Sequence, residues 1–160
     1  MKIKTKLSLA VGFLFLLIIL LIGVSVNYIN ALSKDTQNIL VANYNTIDYS
    51  RQMFIALDED LSEPITINRF EKNLVNQQKN ITEVGEKELT NQLSDDFDQL
   101  KKNIADTSLF KNIRKDLADI MLLNMQAIQR KSSIAEATSK NAILVIAITG
   151  TFCFLLAFTL

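Results

Sequence analysis

No histidine and no tryptophan occur among the 160 residues, and cysteine and proline occur once each. Without histidine there is no imidazole base, no imidazole metal ligand and no phosphoacceptor histidine in this chain. One cysteine forms no internal disulfide. Seventeen basic side chains balance seventeen acidic ones, so there is no excess of positive charge to favour nucleic acid. Glycine is scarce as well, at four positions. A chain so short of turn residues has too little punctuation for a β-rich domain.

What is abundant is apolar, and it is unevenly placed. Residues 7–26 and 142–160 carry no charged side chain and are almost wholly apolar. About 20 apolar residues at 1.5 Å per residue cross a hydrocarbon core about 30 Å thick, so each run is long enough to span a membrane. The competing reading of the first run is a cleaved signal peptide. Its length, and its passage into SVNYINALS without a small-residue cleavage site, favour an uncleaved span. Lys2, Lys4 and Lys6 precede it with no acidic residue beside them, which places residues 1–6 in the cytoplasm and residues 27–141 outside it. The second run is still apolar at Leu160, and further chain is expected beyond it.

Between residues 27 and 141 the only glycine is Gly85 and the only proline Pro64. Apolar residues recur at helical intervals: Leu40, Tyr44, Ile47, Phe54 and Leu57; Ile67, Phe70, Leu74, Ile81 and Val84; Leu89, Leu93, Phe97, Leu100 and Ile104; Ile113, Leu117, Ile120, Ile128 and Ile134. The pattern predicts helices over 28–58, 66–82, 86–105 and 109–140. Residues 59–64 break the first junction, Gly85 the second, and Asp106-Thr107-Ser108 offers an N-cap for the fourth helix.

A segment that leaves a membrane and returns to it needs an even number of long antiparallel helices, so Gly85 is expected to reverse the chain. The predicted fold class is therefore all-α: an antiparallel four-helix-bundle extracytoplasmic domain flanked by two transmembrane helices. The outer helices are longer than the inner pair, which leaves Tyr28, Ile29, Leu32, Ile128 and Ile134 without intrachain partners. That predicts a homodimer.

The stretch FEKNLVNQQKNITEVGEKELTNQLSDDFDQL, followed by DIMLLNMQAIQRKSSIAEATSKNAI and an apolar run, resembles the sensor region of KinB-type membrane-bound bacterial sensor histidine kinases. The resemblance is carried by Asn80-Ile81-Thr82-Glu83-Val84-Gly85-Glu86, an N-I-T-E-x-G-E turn, and by Asn124-Met125-Gln126-Ala127-Ile128-Gln129-Arg130-Lys131, an N-M-x-A-x-x-R-K run. The segment NILVANYNTIDYSRQM, with Asn43, Tyr44 and Met53, also resembles the first helix of those sensors and, more loosely, of chemoreceptors. The resemblance covers most of residues 38–145. It implies a sensor in the bacterial cell (inner) membrane whose relay, phosphoacceptor histidine and ATP-binding domain follow the second span. None of those parts is among these residues, so kinase activity would belong to the longer parent protein.

Other features have plainer readings. Asn80-Ile81-Thr82 matches a glycosylation sequon by chance, and Cys153 reads as a small hydrophobe in a span. The run Asp58, Glu59, Asp60 and Glu63 lacks the glycine and spacing of a calcium loop and reads as a solvated tip. Nothing in the sequence buries Asp95, Asp96 or Asp98 for acid catalysis. Lys101, Lys102, Lys111, Arg114 and Lys115 are expected to face the acidic run across the distal end. No nucleophile, base and orienting group assemble, so no catalytic residue, metal ligand or cofactor is assigned.

For a signal site, four-three spacing on the first helix runs through Leu40, Tyr44, Ile47, Arg51, Phe54 and Asp58, which predicts an inward Arg51. The fourth helix runs through Ile113, Leu117, Ile120, Asn124 and Ala127, which predicts an inward Asn124. Tyr44, Arg51 and Asn124 are the candidate ligand-binding residues for a small anionic or polar effector. The bland alternative has Arg51 reaching solvent or a carboxylate and Asn124 fixing helix register. The leading function is the sensing and transmembrane signalling region of a two-component sensor histidine kinase. The alternatives are the ligand-binding region of a chemoreceptor or a non-signalling scaffold that binds another envelope protein.

Overall fold

The computed structural model describes the backbone of residues 3–159, and the side chains of these except 3–7, 10, 31, 32, 34–39 and 157–159. Four helices follow in order, α1 (Ile3–Asp58), α2 (Pro64–Lys79), α3 (Glu86–Leu100) and α4 (Thr107–Thr159), and the described residues contain no strand. The chain divides into two compact units, Gln37–Lys131 and a second made of Met1–Thr36 with Ser132–Leu160.

The helix ends follow from the scarce turn residues. Pro64 is the first residue of α2 and not part of the break, because its missing N–H is one that a first turn leaves unbonded anyway. Thr66 and Ile67 donate to the Glu63 carbonyl at 3.0 and 3.3 Å. Gly85 precedes α3 with φ 88° and ψ −13°, a left-handed conformation that L side chains resist. α3 stops at Leu100, short of the expected 105. Lys101, Lys102 and Asn103 close the turn by backbone bonds to Phe97, Gln99 and Leu100, and Ile104 lies outside the core. Asp106 then accepts from the Ser108 and Leu109 amides at 2.9 and 3.2 Å, the N-cap its sequence position predicts.

In the unit Gln37–Lys131, all four helices and the α1–α2 turn contribute to one core. Met53, Ala56, Leu57 and Leu61 pack with Phe70 and Leu74, with Leu93, Phe97 and Leu100, and with Ile113, Leu117 and Ile120. Phe70 of α2 and Phe97 of α3 stack with ring centroids 3.7 Å apart and planes 11° from parallel.

The four-three register expected on α4 is the one observed, with Ile113, Leu117, Ile120, Asn124 and Ala127 all buried. On α1 the register is displaced by one residue. The buried positions are Asn43, Thr46, Ser50, Met53 and Leu57, whereas Tyr44, Arg51 and Asp58 are exposed. The cause is chemical: the upper half of the true inward stripe is polar, and a stripe chosen for apolar residues falls beside it.

The second unit carries much exposed apolar surface. It includes the stretch Val11–Asn30 and the apolar end of α4, which make two helices long and apolar enough to cross a membrane. Phe13, Phe15, Ile19, Ile143, Phe152 and Phe154 are exposed there. The Ser25 and Thr151 hydroxyls each donate to a carbonyl four residues earlier, Leu21 and Ala147, both at 2.8 Å, which satisfies them within their own helices. Ile29 and Ile134 are exposed and Tyr28 half-buried in this unit, while the Leu32 side chain lies outside the described residues.

Candidate functional site

At the end of the first unit where residues 40–46 of α1 and 124–131 of α4 lie, the core changes from apolar to polar. Its centre is Glu86, the first residue of α3, fully buried. One carboxylate oxygen, Oε1, accepts from Thr46 Oγ1 at 3.2 Å, Gln77 Nε2 at 2.9 Å and Asn124 Nδ2 at 3.0 Å. The other, Oε2, accepts from the backbone amides of Thr82 and Glu83 at 2.8 and 2.9 Å. Five donors from α1, α2, α4 and the 80–86 turn thus meet one side chain. A buried carboxylate left without such donors would be strongly unfavourable.

The turn is pinned on its other side too. Asn80 Nδ2 donates to the Ala42 carbonyl at 2.7 Å and to Thr46 Oγ1 at 3.0 Å, tying the end of α2 to α1. Asn43, also fully buried, donates to Asn124 Oδ1 at 3.0 Å and to Glu83 Oε1 at 3.1 Å. Asn124 Nδ2 makes a further bond to the Ile120 carbonyl at 2.9 Å. Lys131 closes the cluster, donating to Asn43 Oδ1 at 3.1 Å and pairing with Glu83, which Arg130 approaches at 3.4 Å. Burial alone would raise the Glu83 carboxyl. The hydrogen bonds from Lys131 and Asn43, with the charges of Lys131 and Arg130, outweigh it and hold Glu83 below the ordinary glutamate range.

Of the three residues chosen from spacing, Asn124 is inside this network, and Tyr44 and Arg51 are not. Tyr44 is 58% exposed, and Arg51 lies on the surface beside Asp48, with 3.7 Å between the charged atoms. The expected inward Arg51 is thus corrected by the one-residue change of register on α1. The set expected at the far end is also only partly joined. Arg114 pairs with Asp58, but Glu59 is held in a two-pronged pair by Arg69, Lys101 reaches Glu71 and Asp98, and Lys115 binds Asp119 of its own helix.

Glu86, Thr46 and Gln77 were missed as site residues because hydrophobic periodicity passes over them. The signal that finds Thr46 is an alternative four-three reading of α1 through Asn43, Thr46, Ser50, Met53 and Leu57; Gln77 continues the Phe70–Leu74 spacing on α2, and Glu86 leads Thr90, Leu93, Phe97 and Leu100 at the same spacing on α3. Among the described residues, no group of three or more acidic or cysteine side chains is placed to hold a metal ion. The chain matches none of the family models, curated proteins or solved structures with which it was compared.

Proposed function

We propose that this chain is the sensing and transmembrane signalling region of a bacterial sensor histidine kinase. In this reading the unit Gln37–Lys131 is an antiparallel four-helix bundle outside the cytoplasm, the apolar segments of α1 and α4 cross the cell membrane, and the chain works as a homodimer. The observation that carries the proposal is the meeting of the two sequence runs that resemble KinB-type sensors. Glu86 of the first run accepts from Asn124 of the second at 3.0 Å, and Glu83 of the first pairs with Lys131 and Arg130 of the second. Separated by about 40 residues of sequence, they form one polar layer.

The layer suits a signal relay because it fixes α4 by directional bonds and not by apolar contact alone. α4 is assigned without a break from Thr107 to Thr159. A signal that shifts the 80–86 turn therefore pulls directly on Asn124 and Lys131, and a helix without proline or an internal cap transmits axial displacement along its length.

The test joins residues 1–160 to the cytoplasmic module of a characterised histidine kinase and reads autophosphorylation in membranes. Asn124→Leu and Glu83→Gln are expected to change the basal output while the protein still inserts. Unchanged output in both would overturn the relay. Enzyme fusions at Lys102 and at the N-terminus, active only on opposite sides of a membrane, test the topology; activity of both on one side would overturn it.

A further inference from the structure

Both carboxylate oxygens of Glu86 have donors, whereas a second acidic feature lacks them. On α3, Asp96 precedes the core residue Phe97; on α4, Asp116 precedes the core residue Leu117. Asp116 is 1% exposed. Asp96 and Asp116 each have a buried carboxyl oxygen, Oδ2, that meets no hydrogen-bond partner. Two carboxylates are acceptors only, so neither can satisfy the other while both are ionised.

The charges that act on this pair come from α3 and α4. Asp116 feels Asp96 across the helix boundary and Lys115 and Asp119 from its own helix, while Asp96 feels its neighbour Asp95. Lys115 is the cation among them, and its ammonium is bound to Asp119 at 2.9 Å. Asp96 is half-buried and Asp116 buried, each with one buried oxygen unbonded, so two like charges here are costly and one proton removes the repulsion.

We propose that Asp96 and Asp116 bind a proton as a pair, and that its uptake tightens α3 against α4, which makes this helical unit responsive to acidification of its surroundings. The balance is simple: one proton from solvent adds to one carboxylate oxygen, and the pair's charge falls from two negative to one. Burial first, and the Asp96 charge second, raise the Asp116 carboxyl above the ordinary aspartate range; burial and then Asp95 do the same to Asp96. A raised folded-state value means that the folded form holds the proton more tightly than the unfolded chain. The resulting stability is fully present below the unfolded aspartate range, about 3.9, and is lost as pH rises through the raised value. The pair stands apart from the sensor proposal, since its titration needs only the fold.

The experiment uses the full chain in lipid nanodiscs with carboxyl-labelled aspartate, followed by NMR from roughly pH 3 to roughly pH 8. Asp96→Asn and Asp116→Asn assign the two signals. Asp116 is expected to titrate above the ordinary aspartate range, about 3.9, and Asp96→Asn should return it toward that range. The unfolding temperature of the wild type should fall as pH rises through the Asp116 midpoint, and Asp116→Asn should abolish most of that fall. If Asp116→Asn does not fold, the wild-type titration and Asp96→Asn decide the matter. An Asp116 midpoint at or below about 3.9, or one unmoved by Asp96→Asn, would overturn the proposal. So would millimolar magnesium or calcium erasing the titration, since that would identify a cation site.

Discussion

The Asn124 amide donates to the Glu86 carboxylate over 3.0 Å inside a region closed to solvent, which joins the middle of α4 to the first residue of α3. Glu86 is also the meeting point for Thr46, Gln77 and two backbone amides. Removing the carboxylate strands several buried donors at once. Glu86→Ala should destabilise the chain by at least about 3 kcal/mol, measured by denaturant unfolding in detergent. In a double-mutant cycle with Asn124→Ala, the two losses should be clearly less than additive. Additive losses would mean that the bond carries no coupling.

Gly85 has a left-handed backbone, and a Cβ placed there would meet only Leu123 Cδ1 at 3.7 Å, an ordinary contact. The cost of a side chain is therefore backbone strain and not a clash. Gly85→Ala should destabilise by about 1–2 kcal/mol, and Gly85→Asn by less, because asparagine tolerates this region. A stabilising Gly85→Ala would show that the residue is helical in solution.

The Phe70–Phe97 stack joins α2 to α3 in the apolar core. Both rings are almost fully buried. Phe70→Ala should cost about 3–5 kcal/mol, whereas Phe70→Leu, which refills part of the volume, should cost clearly less. Equal losses for the two would argue that the stacking geometry matters more than the volume.

Acid should act on this fold through Glu83 in the sense opposite to Asp116. The Glu83 carboxyl is held low by Lys131, Asn43 and Arg130 against its burial, so its contribution is present above the ordinary glutamate range and is lost as pH falls through the depressed value. Glu83→Gln should reduce the acid sensitivity of unfolding below about pH 4.5. Lys131→Met should move the Glu83 titration upward, read by carboxyl NMR.

Arg51 lies on the surface, paired only loosely with Asp48. Arg51→Ala should therefore change stability by less than about 0.5 kcal/mol. A loss above about 1 kcal/mol in the full chain would show that this face is covered, for which a second copy of the chain is the natural candidate.

Helix order and the turns were legible because so few residues can make turns here. Pro64, Gly85 and Asp106 lie at or beside the junctions, each for a backbone reason that needs no tertiary context. The α4 register was legible because its inward stripe is apolar except at Asn124. On α1 the same reasoning chose Tyr44 and Arg51, since Asn43, Thr46 and Ser50 look like surface residues until the packing of the other helices buries them.

The amino-acid sequence by itself determined the helical class, the four elements and the two apolar stretches, because periodicity, turn chemistry and hydropathy are local properties. Only the tertiary structure decided that Glu86 is buried and Arg51 exposed. A carboxylate can leave water when five donors converge on it, and those donors come from α1, α2, α4 and the 80–86 turn. Spacing can place Glu86 and Thr46 on inward stripes, but only packing brings the donors of other elements onto one carboxylate.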